Sequence, residues 1–238
     1  DTTQMLGALE LYGEEPWFRL GDMDLATHLL RTNLLRDGET LTTITARLSS
    51  ALGISHRILP MTDDEVATIV HTVEHGPLAF QTYFVRHRWQ PVLESLSYDG
   101  AERAKASADV LTAINEADAI IVGPSNPWLS IAPILALDEL RTALLAHDVP
   151  RVAVSPIVGG EAIKGPTAKI MQELEIEPAA TSVADYYGSV INGFMYDQTD
   201  GALAIDGLRT TAQQTVMRTD RDKIALAEAL MAWIEDWE

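Results

Sequence analysis

Two turns in this chain carry residue types that grip anions. The first is Gly123-Pro124-Ser125-Asn126-Pro127-Trp128-Leu129-Ser130, directly after the apolar run Ala119-Ile120-Ile121-Val122. Gly123 permits close approach of backbone to a ligand, Ser125 and Asn126 offer hydroxyl and amide groups, and Ser130 is placed to cap a following helix. Unpaired N–H groups at such a turn favour a phosphate. The second turn runs from Ser155-Pro156 through Gly159-Gly160 to Lys164-Gly165-Pro166, after the apolar run Arg151-Val152-Ala153-Val154. Its paired glycines make a mobile or close-approach loop, Lys164 is a cation beside a helix start, and Pro166 suits the first helical position. A third group is Asp22-Met23-Asp24 followed by His28 and Arg31. Asp24, His28 and Arg31, spaced by four and three, share one helix face. Each group alone also reads as ordinary capping, a solvated loop or a solvated face. Two loops after neighbouring strands carry more weight, because both open on one edge of the sheet.

The elements that must hold these residues are strands alternating with helices. Ala119–Val122 and Arg151–Val154 read as buried strands, with Asn192–Tyr196 as a late one. An apolar helix is expected from near Ser130. Others are expected over Asp138–His147 and Pro166–Leu174, and an amphipathic one closes the chain over Arg221–Trp237. That alternation implies a parallel sheet covered on both faces. Upstream, Asp22 reads as an N-cap for a helix ending near Asp37-Gly38, Thr40–Leu52 as a second helix, and Ile54–Leu59 as a short strand. Val66–Val73 favours strand, Phe80–Trp89 a helix or extended arm, Val92–Leu96 strand, and Ala101–Asn115 an Ala-rich helix. The expected architecture is α/β: a Rossmann-like three-layer fold with a mainly parallel sheet. It is one domain over residues 1–238, with a helical subdomain over 22–90.

Composition narrows the ligand. The 238 residues include 35 acidic and 17 basic side chains, a net charge of −18, which repels nucleic acid and anionic lipid. An anion must then be held by backbone N–H groups, a few placed cations or a divalent metal. Hydrophobic residues make up 47 %, enough for a buried core, and the absence of cysteine excludes disulfides and thiolate metal sites. No apolar run approaches the ~18 residues that span a bilayer and no signal peptide is visible, so a cytoplasmic protein is expected. Asp1-Thr2-Thr3-Gln4 enters what reads as a helix without an initiator Met, pointing to a lost preceding segment.

Taken together, Leu20-Gly21-Asp22-Met23-Asp24-Leu25-Ala26-Thr27-His28, Gly123-Pro124-Ser125-Asn126-Pro127 with Ser130-Ile131, and Ser155-Pro156-Ile157-Val158-Gly159-Gly160 resemble the 2-phospho-L-lactate transferase family. Lys164-Gly165-Pro166 and Asp185-Tyr186-Tyr187 continue the similarity in order. That family makes the deazaflavin coenzyme F-420. The resemblance implies a magnesium-dependent transferase that moves a phospholactyl-type group from a guanosine-diphosphate-linked donor to the ribityl hydroxyl of the deazaflavin Fo, releasing GMP. It implies donor contacts from Gly123, Pro124, Ser125, Asn126, Ser130, Ser155, Pro156, Gly159, Gly160, Lys164 and Gly165. Acceptor contacts would come from Asp22, Met23, Asp24, His28 and Arg31, and the assembly would be a homodimer.

The family's opening strand, glycine-rich phosphate loop and metal-side aspartate segment have no counterpart here. The metal contacts are therefore expected largely from a preceding segment, without which the chain is expected to fold poorly and catalyse nothing. Met23 stands where the family carries a basic residue and cannot replace its charge or donors. A nucleotide-sugar-binding regulator resembling gluconeogenesis factor is the competing reading; its first turn usually lacks Ser-Asn-Pro. A dinucleotide oxidoreductase is disfavoured, since no Gly-x-Gly-x-x-Gly follows a strand.

Overall fold

The computed structural model describes residues 1–237. In chain order the helices are α1 (Gln4–Leu11), α2 (Asp22–Arg36), α3 (Leu41–Ala51), α4 (Ala108–Asn115), α5 (Ala132–Leu135), α6 (Asp138–Ala146), α7 (Thr167–Glu173), α8 (Ala180–Tyr187) and α9 (Asp220–Glu235). The strands are β1 (Ala67–Thr72), β2 (Gly76–Ala79), β3 (Leu93–Asp99), β4 (Ile120–Val122), β5 (Arg151–Val154), β6 (Ile157–Val158), β7 (Glu161–Ala162), β8 (Gly193–Asp197) and β9 (Arg209–Gln213).

The centre is a four-stranded sheet in the order β4-β5-β8-β9, every neighbouring pair parallel. Because side chains alternate faces along a strand, β5 sends Val152 and Val154 one way and Ala153 the other. Val152, Val154 and Met195 pack against Leu226, Leu230 and Ile234 of α9. Ala153, Phe194 and Tyr196 pack against Ile170 and Met171 of α7 and Val183 and Ala184 of α8. Three layers result, as the strand–helix alternation predicts. Gly193 in β8 lets the Trp237 ring close on the sheet, since a Cβ there would collide with that ring. The capping box of Thr219 and Asp222 fixes the start of α9.

A second sheet, β2-β1-β3, is antiparallel. Val70, Tyr83 and Leu93 of this region join the same core as α7 and α8. Residues 22–90 thus hold the helices α2 and α3 followed by this hairpin and a π-helical turn over Thr82–Arg86.

Several elements differ from the sequence expectation. The helix expected from Ala101 begins at Ala108, because Ser107 Oγ accepts the Val110 N–H at 3.3 Å and Glu139 Oε2 takes the Ala106 N–H at 3.2 Å. Ile54–Leu59 forms no strand. β4 is an edge strand among the described residues, with Ile121 45 % exposed, so its apolar run is only partly buried. The helix expected near Ser130 opens instead with a π-helical turn over Pro127–Ile131, capped by Asn126. Gly21, not Asp22, occupies the N-cap of α2; the Asp22 carboxylate turns to α1 and accepts the Gln4 and Met5 N–H groups, both at 3.1 Å, and the Thr2 hydroxyl. Pro166 sits at the N-cap of α7 rather than in its first turn. The β6–β7 hairpin and β9 were not anticipated.

Candidate functional site

All four central strands run in parallel, so Val122, Val154, Asp197 and Gln213 end on one rim. The segments that follow three of them enclose a cavity of about 430 Å³. Pro124, Ser125, Asn126, Leu129 and Ser130 come from the turn after β4; Ser155, Pro156, Val158, Ile163, Lys164, Gly165, Pro166 and Thr167 follow β5; Thr215, Val216 and Met217 follow β9. Phe80 and Phe84 close the remaining side, their rings stacked at 5.3 Å and 26°.

Asn126 locks the first two walls together. Its Oδ1 accepts the N–H groups of Trp128 and Leu129, both at 3.0 Å, which caps the π-helical turn. Its Nδ2 donates to Thr167 Oγ1 at 3.1 Å, across to the start of α7. Tyr98 adds a second tie by donating its hydroxyl to the Trp128 carbonyl at 2.5 Å; burial holds that phenol well above its ordinary pKa, in the neutral donor form. Ser155, buried at the end of β5, folds its hydroxyl onto the backbone of Ile157, accepting its N–H at 3.1 Å and donating to its carbonyl at 2.9 Å. Asn126 and Ser155, two side chains expected to meet a ligand, therefore serve partly to shape the turns.

The third wall is set by a carboxylate that sequence reasoning missed. Asp197 is buried at the end of β8. Its Oδ2 accepts the Thr215 N–H at 2.8 Å and hydroxyl at 3.1 Å, and its Oδ1 accepts the Thr199 N–H at 3.0 Å and hydroxyl at 2.9 Å. Burial pushes this carboxyl up, but the four donors outweigh it and leave its pKa below the ordinary range. An aspartate ending an apolar strand, followed two residues later by threonine, was the available signal.

Charge is distributed unevenly between site and molecule. Among the described residues, Lys164 is the one charged residue lining the cavity and no carboxylate lines it. Among the described residues, ion pairs join Arg47 to Glu39, Arg57 to Asp109, Arg103 to Glu102, Lys169 to Glu173 and Lys223 to Asp220, so the exposed Lys164 has no acidic partner. A chain with net charge −18 thus keeps a cavity that is positive on balance. That arrangement can hold an anionic group against the general repulsion of the surface.

Of the residues expected at the donor, Pro124, Ser125, Asn126, Ser130, Ser155, Pro156, Lys164 and Gly165 line this cavity. Gly123, Gly159 and Gly160 do not. The glycine pair makes the tight turn of the β6–β7 hairpin, with φ of +60° and +79°. The Gly159 N–H is already donated to Asp200 Oδ1 at 2.7 Å, so it has no hydrogen left for a phosphate. Asp22, Met23, Asp24, His28 and Arg31 line none of the cavity either. Met23 is 69 % exposed on α2, and Arg31 Nη2 pairs with His28 Nδ1 at 2.6 Å, the internal pairing that their spacing allows. Among the described residues no three His, Asp or Glu side chains gather to hold a metal ion. The described residues therefore do not form a magnesium cage. No described helix is long and apolar enough to cross a membrane.

Comparison with known proteins gives concordant matches. The family described as 2-phospho-L-lactate transferase CofD matches residues 1–235. The 2-phospho-L-lactate transferase of Methanosarcina mazei is 37 % identical over 235 residues, covering 97 % of this chain and 77 % of that protein. The phosphoenolpyruvate transferase of Thermobifida fusca is 39 % identical over 223 residues, covering 92 % of this chain and 69 % of its own length. Among solved structures, protein BH3568 of Bacillus halodurans has the same fold, with a TM-score of 0.59 at 13 % identity over 85 % of this chain and 70 % of that one.

Proposed function

This chain belongs to the 2-phospho-L-lactate transferase CofD family, a family of transferase enzymes, and on that premise we propose which groups it transfers. The donor is a guanosine diphosphate whose terminal phosphate is esterified by the hydroxyl of lactate or the enol of pyruvate, and the acceptor is the ribityl hydroxyl of the deazaflavin Fo. The Fo hydroxyl oxygen attacks that terminal phosphorus, the bridging P–O bond to the guanosine phosphate breaks, and GMP leaves, with the phospholactyl or phosphoenolpyruvyl group now esterified to Fo. The hydroxyl proton passes to solvent. Reactions of this class depend on holding attacking and leaving oxygens in line and on offsetting phosphate charge.

The carrying observation is the cavity on the strand-end rim, lined by Lys164 and by no carboxylate. In this reading Lys164 pairs with the diphosphate, while the hydroxyls of Ser125 and Ser130 donate to its oxygens. Asn126 and Asp197 act as positioning residues, the first joining the two turns and the second fixing Thr215. The Phe80–Phe84 pair and Leu129 supply an apolar wall for the flat part of a substrate.

The test is incubation of the full-length protein that contains this chain with Fo, magnesium and guanosine-diphosphate donors, read by mass spectrometry. Formation of the phosphodiester with equimolar GMP supports the proposal. Binding of guanine nucleotide without product, or preference for uridine-diphosphate sugars, would replace it with a regulatory, nucleotide-binding role.

A further inference from the structure

At the exit of the π-helical turn, a separate open pocket of about 500 Å³ is lined by Glu74, His75, Arg86, His87, Arg88, Gln90 and Pro91. We propose that this pocket is a second anion site, built by Arg86, Arg88 and the paired imidazoles of His75 and His87 to hold a multiply charged phosphate-class oxyanion.

Three observations carry this. First, the two imidazole rings lie 4.7 Å apart at 30°, one from the β1–β2 turn and one from the exit of the π-helical turn, so groups distant in sequence converge here. Second, among the described residues neither arginine is in an ion pair, although the chain has 35 acidic residues. Glu74, the one acid on the rim, is tied back, its Oε2 accepting the Val92 N–H at 2.9 Å. Third, the backbone that presents these cations is strained: Arg88 and Trp89 have φ of +51° and +50°, in the left-handed region that side chains with a Cβ avoid. Neighbouring contacts enforce it. Trp89 N–H donates to the Tyr83 carbonyl at 2.9 Å, and Lys169 Nζ holds the Pro91 carbonyl at 2.9 Å. Strain maintained by surrounding structure is a mark of functional loops.

The remaining charged groups packed against the pocket are Lys169 and Glu173 of α7, which pair with each other at 2.6 Å, while Trp17 lies under the Arg86 guanidinium at 5.8 Å. The recruited ligand is thus met by two guanidinium forks, the geometry suited to phosphate oxygens, and by two imidazoles.

The probe is inorganic pyrophosphate added to the full chain, with the imidazole Hε1 resonances followed by NMR and assigned through His75→Gln and His87→Gln. The resonances of both histidines are expected to shift saturably. Arg88→Asn, chosen because asparagine tolerates the left-handed backbone, and Arg86→Gln should each weaken binding about tenfold; Lys164→Ala should leave these shifts unchanged. Absent or unsaturable shifts, or unchanged affinity in both arginine variants, would overturn the assignment. So would loss of the shifts on Lys164→Ala, since they would then belong to the first cavity.

Discussion

Replacing Asn126 separates shape from charge at the cavity. In Asn126→Ala the Trp128 and Leu129 N–H groups lose their acceptor and the tie to Thr167 disappears. Loss of an N-cap costs about 1 kcal/mol, and loss of a hydrogen bond between partly buried groups costs about 1 kcal/mol more. With one N–H on the buried Trp128 left unpaired, the sum is roughly 2–3 kcal/mol, or a melting point lower by about 4–12 °C for a chain of this size. Asn126→Asp behaves differently. A carboxylate oxygen still caps the turn, and Thr167 can turn its hydroxyl to donate to the other, so stability should stay within about 1 kcal/mol of wild type. It does place a negative charge on the cavity wall. A unit charge about 8 Å from another at an effective dielectric of 20 costs about 2 kcal/mol, roughly a thirtyfold loss of GDP affinity. Thermal denaturation by circular dichroism and calorimetric titration with GDP read the two effects separately. If Asn126→Asp binds GDP as tightly as wild type, the anion does not sit in this cavity. If Asn126→Ala melts with wild type, the clasp is not structural.

Lys164→Ala should weaken GDP binding by about 1–2 kcal/mol, roughly five- to thirtyfold, the modest size reflecting an exposed ammonium; a titration showing less than twofold change would contradict this. Asp197 is held below its ordinary pKa by folding, so its stabilisation is present above about pH 4 and lost as pH falls through the lowered folded value. Asp197→Asn should accordingly cost about 1–3 kcal/mol in urea unfolding at pH 7, with the gap to wild type closing near pH 3; a gap that widens in acid would refute the argument. Tyr98→Phe removes the tie to the Trp128 carbonyl and should lower the melting point by about 2–4 °C, the effect of about 1 kcal/mol. Met23→Ala and His28→Ala, on a helix that does not line the cavity, should leave GDP affinity within about twofold by calorimetry.

The sheet and the rim were legible because they follow from short-range signals. Apolar runs ending in Gly-Pro and Ser-Pro, each followed by helical patterning, fix β4 and β5 and the loops after them. Lys164 falls among the cavity-lining residues for the same reason. What stayed hidden depends on contacts across the chain. β9, Arg-Thr-Thr-Ala-Gln, has no apolar run and is a strand only because β8 offers a paired edge. Thr215 enters the site through a carboxylate 18 residues earlier. Phe80 and Phe84 sit four apart, a spacing that stacks their rings on one helical face, but nothing local in the sequence says that this face meets the cavity. The glycine pair misled for a local reason: Gly159 and Gly160 at positive φ close a two-stranded hairpin, and one amide is spent on Asp200. Asp22 misled similarly, since its carboxylate caps α1, from which it is far in sequence.

The measurement closest to the main claim is a crystal structure of the chain grown with GDP. The account predicts the diphosphate between the turns at 124–130 and 155–167, with Lys164 Nζ at hydrogen-bond distance from a phosphate oxygen. Diphosphate bound on another face, with the 430 Å³ cavity still empty, would contradict it.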